Sequence, residues 1–321
     1  SMSCEITTAN FPSRHEKSHK SFVNRRDFLR KTSAAAVAAL ITGCNRNEDL
    51  SNTYQDNKAI TPSSSWWQKG GFIVHNTVDT RQIDKGLIRA YVNGEWQKFK
   101  IVELPKRFVD WSMKTRIARL DRMIRAGGMD PRDLAGSHNA CVATYGGPSR
   151  DSAISLNTAY KGMGFTVHSE KLAETTQRIN EERIRIESDS KNNPLMQMYA
   201  KVKFFADYYQ DTSNLDRTKQ VSLELFASPD FPTHTFLNMM ANPITSASFL
   251  AFPTFEIRAV PQLIHPKNPG LSKTEKNLIA YTNAIHDFIH SGAGACMTCV
   301  YHVIELFDDT PNDRCKGKRI V

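Results

Sequence analysis

The sequence predicts an α+β fold in a single globular domain that spans residues 66–321. Three observations lead to this prediction: a β-hairpin signal near the start of the domain, amphipathic helical patterns after it, and β-rich segments between Pro-marked turns from residue 220 to 265. The chain shows no internal repeat. Residues 44–321 number 278, enough to bury the core of one large domain or two small ones.

The hairpin is the first strong structural signal of the domain. Segments 87–92 and 95–102 alternate apolar and polar side chains, and Asn93-Gly94 joins them. Asn-Gly accepts the positive φ angles of a type I′ turn, which is the turn that fits the twist of paired strands. The sequence therefore predicts two antiparallel strands here, after a short strand at 71–74.

Three helices are predicted after the hairpin. Residues 107–127 place apolar side chains at helical spacing and end at a Gly-Gly pair. Residues 169–191 carry charges at helical intervals, which indicates an exposed helix. A third helix begins at Pro194, since proline is tolerated in the first turn of a helix.

The C-terminal part is predicted to be helical. Ser272 and Glu275 form a capping-box pattern in front of a helix over 276–290. Residues 291–295 are small and break this helix. We expect Cys296 to open a further helix that runs to about Phe307.

The N-terminal region carries an export pattern of paired arginines, an apolar run over 34–41 and a final cysteine. Its residues are Arg25, Arg26, Phe28, Leu29, Gly43 and Cys44. They resemble a twin-arginine export signal joined to a lipoprotein signal-peptidase box, although Asn24 and Thr42 depart from the commonest residues. The apolar run is far shorter than the roughly 20 residues of a spanning helix.

This resemblance implies a bacterial protein that the twin-arginine export machinery carries across the membrane already folded. Residues 1–43 would be the cleaved signal peptide, and Cys44 would receive lipid. Residues 44–65 are polar and predict a flexible tether between that lipid and the domain. The implied location is the cell envelope, on its periplasmic or extracytoplasmic face, where Cys44 binds the protein to membrane lipid.

The charge balance gives little support for a nucleic-acid partner. The chain has a net charge of +9, and residues 1–43 hold seven Lys/Arg and three Asp/Glu, which leaves 35 basic and 30 acidic side chains beyond them. No zinc-finger spacing or aromatic RNA-binding motif is present. The sequence also contains no nucleophile elbow, P-loop, dinucleotide fingerprint or H-E-x-x-H helix.

Five Cys and His residues near the C-terminus form the candidate site. His286 and His290 are four residues apart on one predicted helix, and Cys296, Cys299 and His302 follow. A Cys-x-x-Cys at a helix N-terminus favours a thiolate because the helix dipole lowers the thiol pKa. We therefore predict Cys296 and Cys299 as thiolate ligands or a redox pair, with His302 as ligand or proton partner.

Two chemistries remain open for this site. A transition metal (iron, zinc or copper) or an iron–sulfur cluster could bind there, with His286, His290, His138 and Cys141 as further ligands. Alternatively, Cys296 and Cys299 act as a redox dithiol. The run resembles the Cys-x-x-Cys-x-x-x-His motif of AhpD-like peroxidases, but only two residues separate Cys299 from His302.

The sequence thus predicts an exported lipoprotein with a C-terminal Cys/His site, leaning towards an oxidoreductase. Folded export suits a protein that acquires a cofactor in the cytoplasm. The alternative is a non-catalytic binding or assembly lipoprotein, in which disulfides join Cys141 and Cys315 to C-terminal cysteines.

Overall fold

Thirteen β-strands and five α-helices make up the part of the chain that the computed structural model describes, residues 66–127, 131–148, 150–189, 193–290, 294–311 and 317–321. Strands β1–β13 are Trp67–Gln68, Phe72–Ile73, Val78–Asp79, Leu87–Val92, Glu95–Lys100, Asn139–Tyr145, Leu156–Gly162, Gly164–Val167, Leu215–Glu224, Thr245–Ser248, Phe255–Ile264, Met297–Asp308 and Lys318–Arg319. Helices α1–α5 are Lys106–Ala126, Leu172–Ser188, Pro194–Tyr208, His234–Ala241 and Lys273–His290.

The main sheet is antiparallel and closes on itself. Its strand order is β7-β6-β10-β11-β12-β9-β8, with β13 paired to the end of β12. The two edge strands, β7 and β8, are separated along the chain by Met163 alone. They are therefore two halves of one bent segment, and the sheet forms a barrel in which one half pairs with β6 and the other with β9.

Both faces of this sheet are covered along β9, β11 and β12. The inner face packs against α1 and α4, and Phe108, Phe236, Met239 and Tyr301 belong to that buried cluster. On the outer face, Val300 and helices α2, α3 and α5 form a second cluster. A small sheet of β3, β4 and β5 covers a further part through a third cluster. The predicted single α+β domain is confirmed.

Several local predictions are also confirmed. Strands β4 and β5 pair as a hairpin whose turn residues Asn93 and Gly94 have φ angles of 53° and 88°. Helix α1 ends at Gly127, which has φ 67°. The capping box before α5 is present, because Glu275 N donates to Ser272 Oγ at 3.2 Å and Ser272 N donates to the Glu275 carboxylate at 2.8 Å.

The predicted helix from Cys296 to about Phe307 is wrong, because residues 297–308 form β12. The predicted helix over 276–290 is present as α5. Strand β12 pairs with β11 and β9 and lies in the middle of the sheet. Its β-branched and aromatic side chains suit a strand that is buried on both faces. Such a strand reads as a continuous apolar run, which hydrophobic spacing does not distinguish from a helix. The short helix α4 was not predicted either; it interrupts the β-rich segment 220–265.

The backbone that follows β6 lies very close to helix α4, and this contact can be tested by mutation. Gly147 N donates to Asn238 Oδ1 at 2.8 Å, and a Cβ built on Gly147 would lie 2.6 Å from Asn238 N. We expect Gly147→Ala to lower the free energy of unfolding by about 1–3 kcal/mol in urea denaturation, since the backbone must shift. Gly162→Ala is the control, because a Cβ there meets nothing within 4 Å. Equal losses in both variants would contradict this packing.

Candidate functional site

Strand β12 separates the predicted Cys/His residues instead of gathering them. Along a strand, successive side chains point to opposite faces of the sheet. Cys299 belongs to the inner cluster, whereas its neighbour Val300 belongs to the outer one. His302 therefore lies on the face opposite Cys299. Their spacing of three residues would bring them together on a helix and places them apart on this strand.

Cys299 is a buried, neutral thiol. It is 2% exposed, and its Sγ lies 3.9 Å from Met239 Sδ. Burial raises the pKa of Cys299 to about 12, although the neighbouring Tyr301 opposes this shift. No helix begins at this cysteine, so the dipole expected to stabilise a thiolate is absent from β12.

His302 belongs to a buried polar chain on the outer face. Its Nε2 lies 3.1 Å from Gln262 Oε1, and Gln262 Nε2 donates to Glu275 Oε1 at 2.7 Å. Because the amide oxygen of Gln262 accepts, the histidine carries its proton on Nε2. Burial, with Lys219 nearby, lowers the pKa of His302 to about 3. This imidazole is neutral and has a structural partner.

Cys296, His286 and His290 lie around the end of α5. The predicted common face of the two histidines is confirmed, since their ring centroids are 5.0 Å apart. Burial lowers the pKa of His290 to about 4, with a further contribution from His286. Cys296 precedes β12, and its backbone N–H donates to Asn283 Oδ1 at 2.7 Å. The Asn283 amide thereby ties this segment to α5.

His138 and Cys141 do not join the C-terminal residues into a metal cluster in this structure. Burial and the guanidinium groups of Arg119 and Arg116 lower the pKa of His138 to about 3. The same positive charges oppose a metal cation. Across residues 66–321, in the parts that the structure describes, no three His, Cys, Asp or Glu side chains converge as a metal site.

Cys141 and Cys299 carry free thiols, and their separation excludes a bridge between them in this structure. Strands β10 and β11 lie between β6 and β12. Three strand spacings amount to about 14 Å, whereas bridged cysteines have Cα atoms less than about 7 Å apart. Cys315 lies outside the described residues, as do Cys44, Arg25 and Arg26. The metal and redox roles, and the pairings that involve Cys315, stay predictions.

A different group of side chains stands out inside the barrel. The inward side chains of β9 opposite β12 are all polar: Gln220, Ser222 and Glu224, with exposures of 0%, 4% and 4%. Ser222 Oγ lies 3.2 Å from Tyr301 Oη, and Lys161 Nζ on β7 donates to Glu224 Oε2 at 2.6 Å. We call these five residues, Gln220, Ser222, Glu224, Tyr301 and Lys161, the inner polar row.

Gln220 is the anomaly of the inner polar row. Both of its amide atoms are buried, and neither has a hydrogen-bond partner in the structure. A buried polar group without a partner costs about 1–3 kcal/mol, so such groups are rare unless water or a ligand satisfies them. Gln220 is therefore the member of the row whose side-chain polar atoms the described structure leaves without a partner.

One end of the inner polar row meets the N-terminus of α4. Thr233 caps this helix, accepting from Phe236 N, and its hydroxyl also lies 3.4 Å from Glu224 Oε1. His234 follows, and its Nε2 lies 2.6 Å from Asp151 Oδ1. The carboxylate of Glu224 is thus placed between the positive end of a helix and the Lys161 ammonium, which explains how a charged group persists there.

Sequence inspection missed this row because Gln-Val-Ser-Leu-Glu-Leu at 220–225 is typical of a strand with one solvated face. The signal was the period-2 polar pattern itself. Its polar face turns inward only because the barrel closes and the helices cover the apolar face.

Comparisons with known proteins identify no relative: no family model, curated protein or solved structure matches this chain. Among the described residues, no helix combines the length and the apolar character needed to cross a membrane.

Thiol labelling of the native protein tests the state of Cys299. Because this thiol is buried and neutral, we expect iodoacetamide at pH 8 to modify it at least about a hundredfold more slowly in the fold than in urea. The half-buried Cys141 serves as the internal reference, with modification mapped by mass spectrometry. Fast native labelling of Cys299 would contradict its placement in the core.

Acid pH tests the buried neutral histidines. His75 Nε2 donates to Met239 O at 2.9 Å while its Nδ1 accepts from Leu263 N at 2.9 Å, and burial lowers its pKa to about 4. In the unfolded chain these histidines have an ordinary pKa near 6.5, so they become protonated below that pH. In the folded protein His75 and His302 stay neutral until the pH approaches their lowered pKa values. Stability must therefore fall as the pH drops below about 6.5.

As the pH is lowered from 6.5 to 4.5, each of these two histidines should decrease the unfolding free energy by roughly 2–3 kcal/mol. Urea denaturation at several pH values measures the slope. The variant His302→Gln keeps a side-chain donor but has no group that titrates at this position. Its unfolding free energy should therefore fall less steeply with decreasing pH, by the contribution of one histidine. An unchanged slope would show that His302 is protonated in the fold.

Proposed function

We propose that this chain is an exported, lipid-anchored binding protein of the cell envelope whose ligand contacts the inner polar row. Export through the twin-arginine machinery and lipid on Cys44 are supported by the N-terminal sequence pattern. The observation that carries the binding function is the Gln220 amide, whose donor and acceptor both face the barrel interior without partners. The protein proposed here is a non-catalytic binding lipoprotein that does not depend on disulfides.

The Lys161–Glu224 ion pair indicates which ligands the inner polar row can accept. The side chains of Lys161 and Glu224 alone are 12% and 2% exposed, so their ion pair is largely buried and has no net charge. A ligand with a net charge would leave an uncompensated charge in the barrel, which is strongly unfavourable. A neutral polar molecule or a zwitterion avoids this cost. Its donor and acceptor groups would satisfy the Gln220 amide and the hydroxyls of Ser222 and Tyr301.

A metal-dependent or redox function, with oxidoreductase activity, is the second candidate. One observation favours it: Cys299 Sγ and Met239 Sδ lie 3.9 Å apart, and thiolate and thioether sulfurs together suit a soft ion such as Cu(I). Metal analysis of protein purified from the native envelope separates the two candidates. Stoichiometric copper, iron or zinc that is lost in Cys299→Ser would favour this second function.

Paired leucine substitutions test the binding proposal without knowledge of the ligand. In the ligand-free protein, Gln220→Leu should raise the unfolding free energy by about 1–2 kcal/mol, because it removes a buried amide that has no partner. Gln262→Leu is the matched control. It breaks the bonds to His302 and Glu275 and should destabilise by a similar amount. Urea denaturation of dialysed protein measures both changes.

Native mass spectrometry of protein released from its own membranes completes the test. We expect a small-molecule adduct on the wild-type protein that is absent from Gln220→Leu and retained in a Cys141→Ser control. A wild-type protein without an adduct, whose melting temperature does not respond to a panel of amino acids and neutral polar metabolites, would reject the proposal.

A further inference from the structure

Large apolar side chains are exposed on two neighbouring segments, one that leads into β7 and one that joins β9 to α4. Ile154 and Leu156 are 65% and 61% exposed, and Phe226 and Phe231 are 57% and 53% exposed. We call these four residues the loop patch. Neighbouring exposed apolar side chains mark interaction surfaces on soluble domains, whereas single exposed residues do not.

Contacts between the two segments hold the loop patch together. The Arg150 guanidinium lies 4.4 Å from the centroid of the Phe231 ring and also donates to Pro232 O at 3.4 Å. Asn157 Nδ2 donates to Thr235 Oγ1 at 2.8 Å. These bonds flank Ile154 and Leu156 on one segment and Phe231 on the other. These bonds fix the two segments relative to each other.

We propose that the loop patch contacts the bilayer to which the chain is anchored, an inference that rests on the proposed lipid on Cys44. The position of the first described residues supports an orientation in which the loop patch faces the bilayer. Trp66 and Trp67 pack on Phe236 of α4 with ring centroids 6.2 and 5.7 Å away. Phe236 is five residues beyond Phe231, so the first described residues pack on the helix that follows the segment carrying Phe231.

The length of chain before Trp66 supplies the second argument. Twenty-one residues separate Cys44 from Trp66. Their polar composition predicts a flexible linker, and a linker of that length has a root-mean-square span of about 25 Å. A domain anchored through such a linker stays close to the lipid headgroups. The surface nearest to Trp66 is then the one expected to contact them.

The chemistry of the patch fits lipid better than a second copy of the chain. Phe, Leu and Ile side chains enter the boundary between headgroups and acyl chains. The excess of positive charge beyond residue 43, 35 basic against 30 acidic side chains, attracts anionic lipid and repels a copy of itself.

The experiment uses the full chain with Cys44→Ser, so that the patch acts without lipid on the protein. Sedimentation with vesicles of phosphatidylethanolamine and phosphatidylglycerol measures its partition. We expect binding that falls at least about tenfold in Phe226→Ser/Phe231→Ser, since each ring contributes apolar burial. The control is Leu250→Ser/Phe252→Ser, which alters apolar residues of 68% and 77% exposure on the β10–β11 connection and should bind unchanged.

Two outcomes would overturn the proposal: no partition of the Cys44→Ser chain, or equal losses in the patch and control variants. A dimer in analytical ultracentrifugation that only the patch variant dissolves would assign the surface to a second copy instead. The anchor is tested separately by the mass of the Cys44 peptide from the native host. An unlipidated Cys44 together with patch-dependent vesicle binding would reject the anchor and keep the patch.

Discussion

Closure of the antiparallel sheet is the constraint on which the rest of the structure depends. The bend at Met163 sends one continuous segment from pairing with β6 to pairing with β9, so the sheet has no open edge at that point. Lys161 and Glu224 bridge β7 and β9 beside the bend. Closure creates an interior, and α4 and α1 pack apolar side chains against its wall. Strands β9 and β12, covered on their outer face by helices, consequently have no solvated side.

This double burial determines the chemistry available to each side chain. Polar groups on β9 and β12 must find partners inside the protein, and those on the outer face do so through the chain from His302 to Gln262 and Glu275. On the inner face, Ser222 pairs with Tyr301, whereas Gln220 keeps an unsatisfied amide. A stable fold tolerates such a cost where a function requires it, and the binding proposal rests on that contrast between two buried glutamines.

The Cys/His residues illustrate how secondary structure changes the meaning of a sequence spacing. With a period of 3.6 residues, Cys299 and His302 would share a helix face, and a thiolate would be favoured at the helix start. With a period of two, they lie on opposite faces, and burial keeps the thiol protonated. The same positions in the sequence therefore imply a redox site in one secondary structure and two separate packing environments in the other.

The sequence by itself determined the local elements whose signals lie within a few residues: the Asn93-Gly94 hairpin, the helix ends and the capping box of Ser272 and Glu275. It also determined the α+β class. Tertiary structure alone decided that 297–308 is a central strand and that the polar face of β9 points inward. A run of buried residues carries no periodicity to tell helix from strand, and a polar face cannot be assigned to water or core before its neighbours are placed. Those neighbours, α5 and the bent β7–β8 segment, come from distant parts of the chain.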